Sequence, residues 1–156
     1  MKYWGIDSFD SIPHFLQAII EFLPAVKTLS FEIHGECDEV REFYSKHMSS
    51  VKLRPSRDTI YPKTKLYYCS ASFPLVSGLK ALLQKRKNGD LFWHIKGYDD
   101  SKMLFALHDA DSLCCAALSP IIDVKTIHSI ATELNCKPET FESGFDWNQD
   151  FTPKKK

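Results

Sequence analysis

One stretch, LFWHIKGYDDSKMLFALHDADSLCCAALSPIIDVKTIHSIATEL from Leu91 to Leu134, constrains the fold more than any other part of the chain. It holds three short apolar runs, two acidic turns between them, and an amphipathic helix at the end. From Leu91 to Tyr98 the side chains alternate as a strand requires. Leu91, Trp93 and Ile95 fall on one side, and Phe92, His94, Lys96 and Tyr98 on the other. Asp99-Asp100-Ser101 and Asp109-Ala110-Asp111 are turn sequences, because short polar side chains bond their own backbone. Met103 to His108 reads as the returning strand. Ser112 to Leu118 is small and apolar, which predicts a strand buried on both faces. Connections this short join antiparallel neighbours, so the unit is a three-stranded meander with its last strand interior. Asp123, after Pro120, is a candidate N-cap for the closing helix. Val124, Ile127, Ile130, Ala131 and Leu134 give that helix an apolar stripe, and the meander gives the stripe a surface to cover.

The first half alternates strand with helix. Residues 1–6 suit an edge strand or a packed arm. A helix is expected from Ser11 to Leu23, with Ser11 as cap and Pro13 in the first turn, where its missing N–H costs nothing. Leu29 to His34 is a strand ended by Gly35, and a helix follows over Asp38–Met48. Residues 49–64 read as a loop, with a brief strand at Val51–Leu53. Lys65 to Ala71 is a strand, and Ser72 caps a helix whose stripe is Leu75, Leu79, Leu82 and Leu83. Such alternation favours parallel pairing through crossovers. The expected class is therefore α/β (α+β): a single mixed sheet, strand–helix units followed by an antiparallel three-stranded meander and a C-terminal helix. One domain is expected over residues 1–141, with 142–156 a mostly flexible tail in which Phe145 and Trp147 can dock.

Charge narrows the function classes. Lys plus Arg equals Asp plus Glu at 20 each, which removes the electrostatic case for nucleic acid or an anionic membrane. No apolar run approaches the roughly 18 residues of a membrane span, and MKYWGIDSFD lacks the apolar segment of a signal peptide. A cytoplasmic location is expected. The five cysteines are odd in number and irregularly spaced, and no CxxC occurs. They read as small buried hydrophobes in a reducing compartment, without a disulfide framework or zinc site. No metal or other cofactor is expected.

The strict catalytic motifs are absent: no GxSxG, P-loop, GxGxxG before a helix, or HExxH. Three polar groups remain. His94 and His108 lie on neighbouring strands of the meander. They face one another if the hairpin loop is three residues long, and fall on opposite faces if it is two or four. With Asp109 they could bind a metal or shuttle a proton; a buried strand histidine beside turn aspartates is the plainer account. Glu32 and His34, two apart on one strand before a helix, could act as acid and base, or could simply face solvent. Thr59-Ile60-Tyr61-Pro62, with Arg54 and Arg57, could hold an anion or an acidic partner surface, or be an ordinary loop.

The order of these features resembles a family of small, uncharacterised bacterial α/β proteins. The likeness rests on a helix ending in Leu-Pro, Phe31-Glu32-Ile33-His34-Gly35, Glu39-Val40-Arg41-Glu42-Phe43, Thr59-Ile60-Tyr61-Pro62, His94, Tyr98 and His108-Asp109-Ala110, and covers residues 9–136. It transfers no activity. It directs attention to Glu32, Thr59, Pro62, His94, Tyr98, His108 and Asp109; the loop lengths and the C-terminal tail depart from it.

The leading expectation is a non-enzymatic binding protein that masks another protein, in the manner of an immunity protein or antitoxin, with a homodimer also open. Glu32, His34, Thr59, Tyr61, His94, Tyr98, His108 and Asp109 are its candidate binding residues, and no catalytic residue is assigned. The aromatics Phe92, Tyr67, Tyr98 and Trp147, read as lying on polar strand faces, support it, since aromatics recur at interface hot spots. The alternative is a small hydrolase or metal-assisted enzyme using His94, His108 and Asp109, with Glu32 as a further candidate.

Overall fold

The computed structural model describes residues 2–50, 64–100, 102–110 and 115–142. Among these residues, four helices pack on a seven-stranded sheet. In chain order the elements are β1 (Lys2–Asp7), α1 (Ile12–Phe22), β2 (Thr28–Ile33), α2 (Asp38–Lys46), β3 (Lys65–Ser70), α3 (Phe73–Leu83), β4 (His94–Tyr98), β5 (Met103–Leu107), β6 (Cys115–Leu118), α4 (Val124–Glu133) and β7 (Glu139–Glu142). The strands lie in the order β3-β2-β4-β5-β6-β1-β7.

The single sheet, the helices and the meander are as the sequence predicts; the pairing sense of the first half is not. Every paired strand is antiparallel, including β2 with both β3 and β4. The strand–helix alternation misleads because α2 does not carry the chain across to a parallel neighbour. β3 turns back beside β2 instead, and Met48 bridges Cys69. The N-terminal segment is no edge either: β1 sits between β6 and β7. The sequence reading places no element after Leu134, yet β7 pairs with β1 from Lys2↔Glu142 to Gly5↔Glu139. The brief strand expected at Val51–Leu53 lies outside the described residues.

Helix starts follow local chemistry. Ser11 and Ser72 adopt extended backbone, and their hydroxyls accept from the His14 and Leu75 N–H groups. Pro13 and Pro74 occupy first-turn positions that need no donor. Asp123 occupies the N-cap of α4 but makes no side-chain cap bond.

All four helices bury their stripes on one face of the sheet. Phe15, Leu16, Ile19, Val40, Tyr44, Leu75, Leu79, Ile127 and Ile130 pack with Ile6, Leu29, Phe31, Ile33, Ile95, Phe105, Leu107 and Leu118. α1 touches both α3 and α4 and so sits between them. Phe15 stacks on Phe9 at 4.9 Å and meets Phe105 edge-on at 5.3 Å.

The second sheet face is different. Alternation along the strands gives it Thr28, Ser30 and Glu32 from β2, His94, Lys96 and Tyr98 from β4, Ala106 from β5, Ala117 from β6, Gly5 and Asp7 from β1, and Phe141 from β7. No described helix lies on it. Its centre holds a small apolar cluster of Tyr98, Met103 and Ala106 with Tyr3, Tyr68 and Ala117 at the margin.

At the edge of the helical layer, His14 on α1 links two carboxylates. Its Nδ1 lies 2.6 Å from Asp10 and its Nε2 3.5 Å from Glu133 on α4. The hydrogen bond to Asp10, with help from Glu133, holds the imidazole above its ordinary value of 6.5. The same bond holds Asp10 below 3.8. A raised imidazole value stabilises the fold below 6.5 and loses that effect as pH rises through the folded value. A lowered carboxyl value stabilises above 3.8 and loses it as pH falls. The difference in melting temperature between the parent and His14→Gln should therefore be largest in the acid window between these values and shrink towards pH 8. A difference that grows with rising pH would show that the imidazole does not carry the clasp.

Candidate functional site

The second sheet face brings together several of the residues singled out by sequence. Glu32 lies directly opposite His94 on the neighbouring strand. β5 pairs Leu107 with Ile95, and one step further the same register sets His108 opposite His94. Their rings are 5.4 Å apart and 62° inclined. Glu32, His94 and His108 thus form a row across β2, β4 and β5.

The row depends on a register correction. Tyr98 pairs with Met103, so four residues, 99–102, connect β4 to β5. A four-residue loop alone would put the two histidines on opposite faces. A bulge then shifts the register, because Gly97 pairs with Phe105 and leaves Leu104 as the extra residue. The bulge restores what the loop length removes. Asp99 closes the loop by accepting the Lys102 N–H at 2.6 Å.

The chemistry of the row is specific. His94 is buried, and its Nδ1 accepts the Asp109 N–H at 3.1 Å. That bond places the proton of the neutral ring on Nε2 and occupies the other nitrogen. Asp109 reaches this position with φ at +54°, a left-handed conformation that aspartate tolerates better than most residues. Glu32 is buried and accepts the Thr64 hydroxyl at 2.8 Å. His34 is exposed, its ring 5.2 Å from Trp93. Tyr98 is buried in the small apolar cluster, and Thr59 and Tyr61 lie outside the described residues, as do Arg54, Arg57, Pro62 and Trp147. Among the described residues no group of three His, Cys, Asp or Glu side chains is placed to hold a metal ion.

Beside the exposed end of the row opens a cleft of about 340 Å³, within the range of small-ligand pockets. His108, Asp109, Asp7, Cys115 and Glu139 supply its polar lining. Ala106 and Ala117 form an apolar floor, and the rings of Tyr3 and Phe141 form a wall, stacked at 5.6 Å. The Phe141 ring lies over Gly5, where an added Cβ would come within 2.4 Å of it, so glycine there is what lets the wall sit close to the sheet.

Of the residues lining the cleft, the sequence singles out His108 and Asp109 and passes over Tyr3, Asp7, Glu139 and Phe141. The available signal is period-two alternation, Tyr3-Gly5-Asp7 and Glu139-Phe141, on strands too short and polar to stand out. Cys115 is exposed at the cleft, so β6 is not buried on both faces. Cys37 is also exposed and Cys136 half-buried, leaving Cys69 as the cysteine among those described that fits the buried expectation. The aromatics read as interface residues are mostly internal: Phe92 and Tyr98 are buried, and Tyr67 bonds Glu36.

Glu36 is the other buried carboxylate cluster. Its side chain is only 4% exposed, yet Lys65, Tyr67 and, at 3.3 Å, Arg41 all donate to it. Burial pushes this carboxyl up, but those donors outweigh it and the net displacement is downward. Burial and the adjacent carboxylate push the Tyr67 phenol up to about 12. The donors close around Glu36, so the cluster ties α2 to β3 and leaves the cleft as the better candidate site.

No helix among the described residues is long and apolar enough to cross a membrane. No protein-family model, curated protein or solved structure matches the chain.

Proposed function

We propose that this chain is a non-enzymatic binding protein that masks another protein, and that the cleft between β5, β6, β1 and β7 receives one of the partner's side chains. One observation carries the reading: a pocket of side-chain size, walled by the stacked Tyr3 and Phe141 rings, opens beside β7, the outermost strand among the described residues, whose four residues are all exposed. Aromatic walls around a small apolar floor are the usual anatomy of an interface hot spot. The test fills the cleft from its floor. Ala117→Phe should weaken partner affinity by at least about tenfold, or roughly 1.4 kcal/mol. The partner is first identified by crosslinking in extract of the source cell. Unchanged affinity would remove the cleft from the interface.

A second reading, an acid–base catalyst, draws support from the facing imidazoles. His94 is buried with its Nδ1 held by a backbone N–H, so proton exchange with a substrate in the cleft would fall to the exposed His108. That reading requires a substrate whose turnover His108→Gln abolishes while partner affinity stays the same; equal turnover would end it.

A further inference from the structure

The cleft's lining says what kind of side chain it suits, given the binding role proposed above. Asp7, Asp109 and Glu139 bring three carboxylates, and no lysine or arginine lines it among the described residues. An anionic guest would meet like charge there. A purely apolar guest would strip water from carboxylates and return nothing. A cation on an apolar stem answers both parts: the stem lies on Ala106 and Ala117, and the head reaches the carboxylates. The Tyr3 and Phe141 rings add the attraction of aromatic faces for a cation.

The edge beside the cleft suggests how such a group arrives. β7 pairs with β1 alone among the described residues, so its outer N–H and C=O row faces no described strand. Glu139 and Phe141 project to the cleft side, while Glu142 projects to the other and meets Lys2 at 4.0 Å. A strand added beside β7 would set every second side chain next to Glu139, within cross-strand reach. We propose that the cleft seats a lysine or arginine of the partner protein, carried on an extended segment that pairs with the outer edge of β7.

The test titrates the full-length chain, labelled for amide NMR, with a short capped peptide of alternating valine and lysine. Parallel titrations use the same peptide with norleucine or glutamate for lysine, and n-butylammonium alone. The lysine peptide should shift the amides of Tyr3, Gly5, Ala117 and β7, and bind at least about tenfold tighter than the norleucine peptide. The double variant Asp7→Asn/Glu139→Gln should bring it down to the norleucine level, and the glutamate peptide should bind least. Added salt should weaken the lysine peptide most. Equal binding by norleucine and lysine peptides overturns the choice of a cation but leaves a binding cleft standing. Butylammonium binding as tightly as the peptide overturns delivery on a strand. Shifts confined to other surfaces, or none, overturn the inference outright, whereas failure of the masking role itself shows in the Ala117→Phe affinity.

Discussion

Gly97→Ala should destabilise the protein by about 1–3 kcal/mol, towards the upper end of what overpacking costs, and Gly97→Val by more. An ideal Cβ at this position would stand 2.0 Å from Cε1 and 2.5 Å from Cδ1 of Phe105, the residue directly across the β4–β5 ladder. An aromatic ring laid over a cross-strand glycine is a known way to pin register. The ring has nowhere to go: Phe105 is fully buried and meets Phe15 edge-on at 5.3 Å. The urea midpoint should fall with little change in slope, since the surface exposed on unfolding is nearly the same. Phe105→Leu should offset much of the alanine's cost, so the double variant is less damaged than the two single changes added together. The same pair sits at the bulge that brings His94 and His108 onto one face, so the double variant should also disturb the ring contact between them. A Gly97→Ala protein as stable as the parent would mean that Phe105 does not rest on Gly97 and that this register is wrong.

That hairpin shows where the sequence is readable. The antiparallel meander, the interior place of β6 and the caps at Ser11 and Ser72 are local chemistry, and local chemistry is written in adjacent residues. The facing of the two histidines depends on loop length and bulge together, and neither is fixed by the run Asp99-Asp100-Ser101. A bulge is a one-residue event with little composition of its own. Strand partners are harder still. β3 lies beside β2 although α2 intervenes, and β1 meets β7 from opposite ends of the described chain. Nothing in Tyr3-Gly5-Asp7 announces Glu139-Phe141. The half of the site on the meander was therefore legible, and the half made by β1 and β7 was not.

Tyr44→Ala should cost about 3–5 kcal/mol, as removal of a large buried aromatic does, and Tyr44→Phe about 1–3 kcal/mol. The two changes separate packing from hydrogen bonding at one position. Tyr44 is fully buried on α2. Its ring lies 4.9 Å from Phe31 and stacks on Tyr67 at 5.1 Å, so it fastens α2 to the two strands beneath. Burial, the largest cause, raises its phenol well above 10.0, so the hydroxyl keeps its proton and donates it. The acceptor is the Leu91 carbonyl at 2.6 Å, in the segment that leads into β4. Phenylalanine preserves the ring and leaves that carbonyl without its donor, in a place where Leu91 is itself fully buried; an unmet buried acceptor costs more than the net gain of an average hydrogen bond. Alanine removes ring and donor together and opens a cavity. If the phenylalanine variant melts like the parent, the hydroxyl does not anchor the entry to β4, and α2 is held by aromatic packing alone. If both variants lose the same amount, the ring contributes nothing beyond the hydrogen bond, which would contradict the placement of α2 against Phe31 and Tyr67.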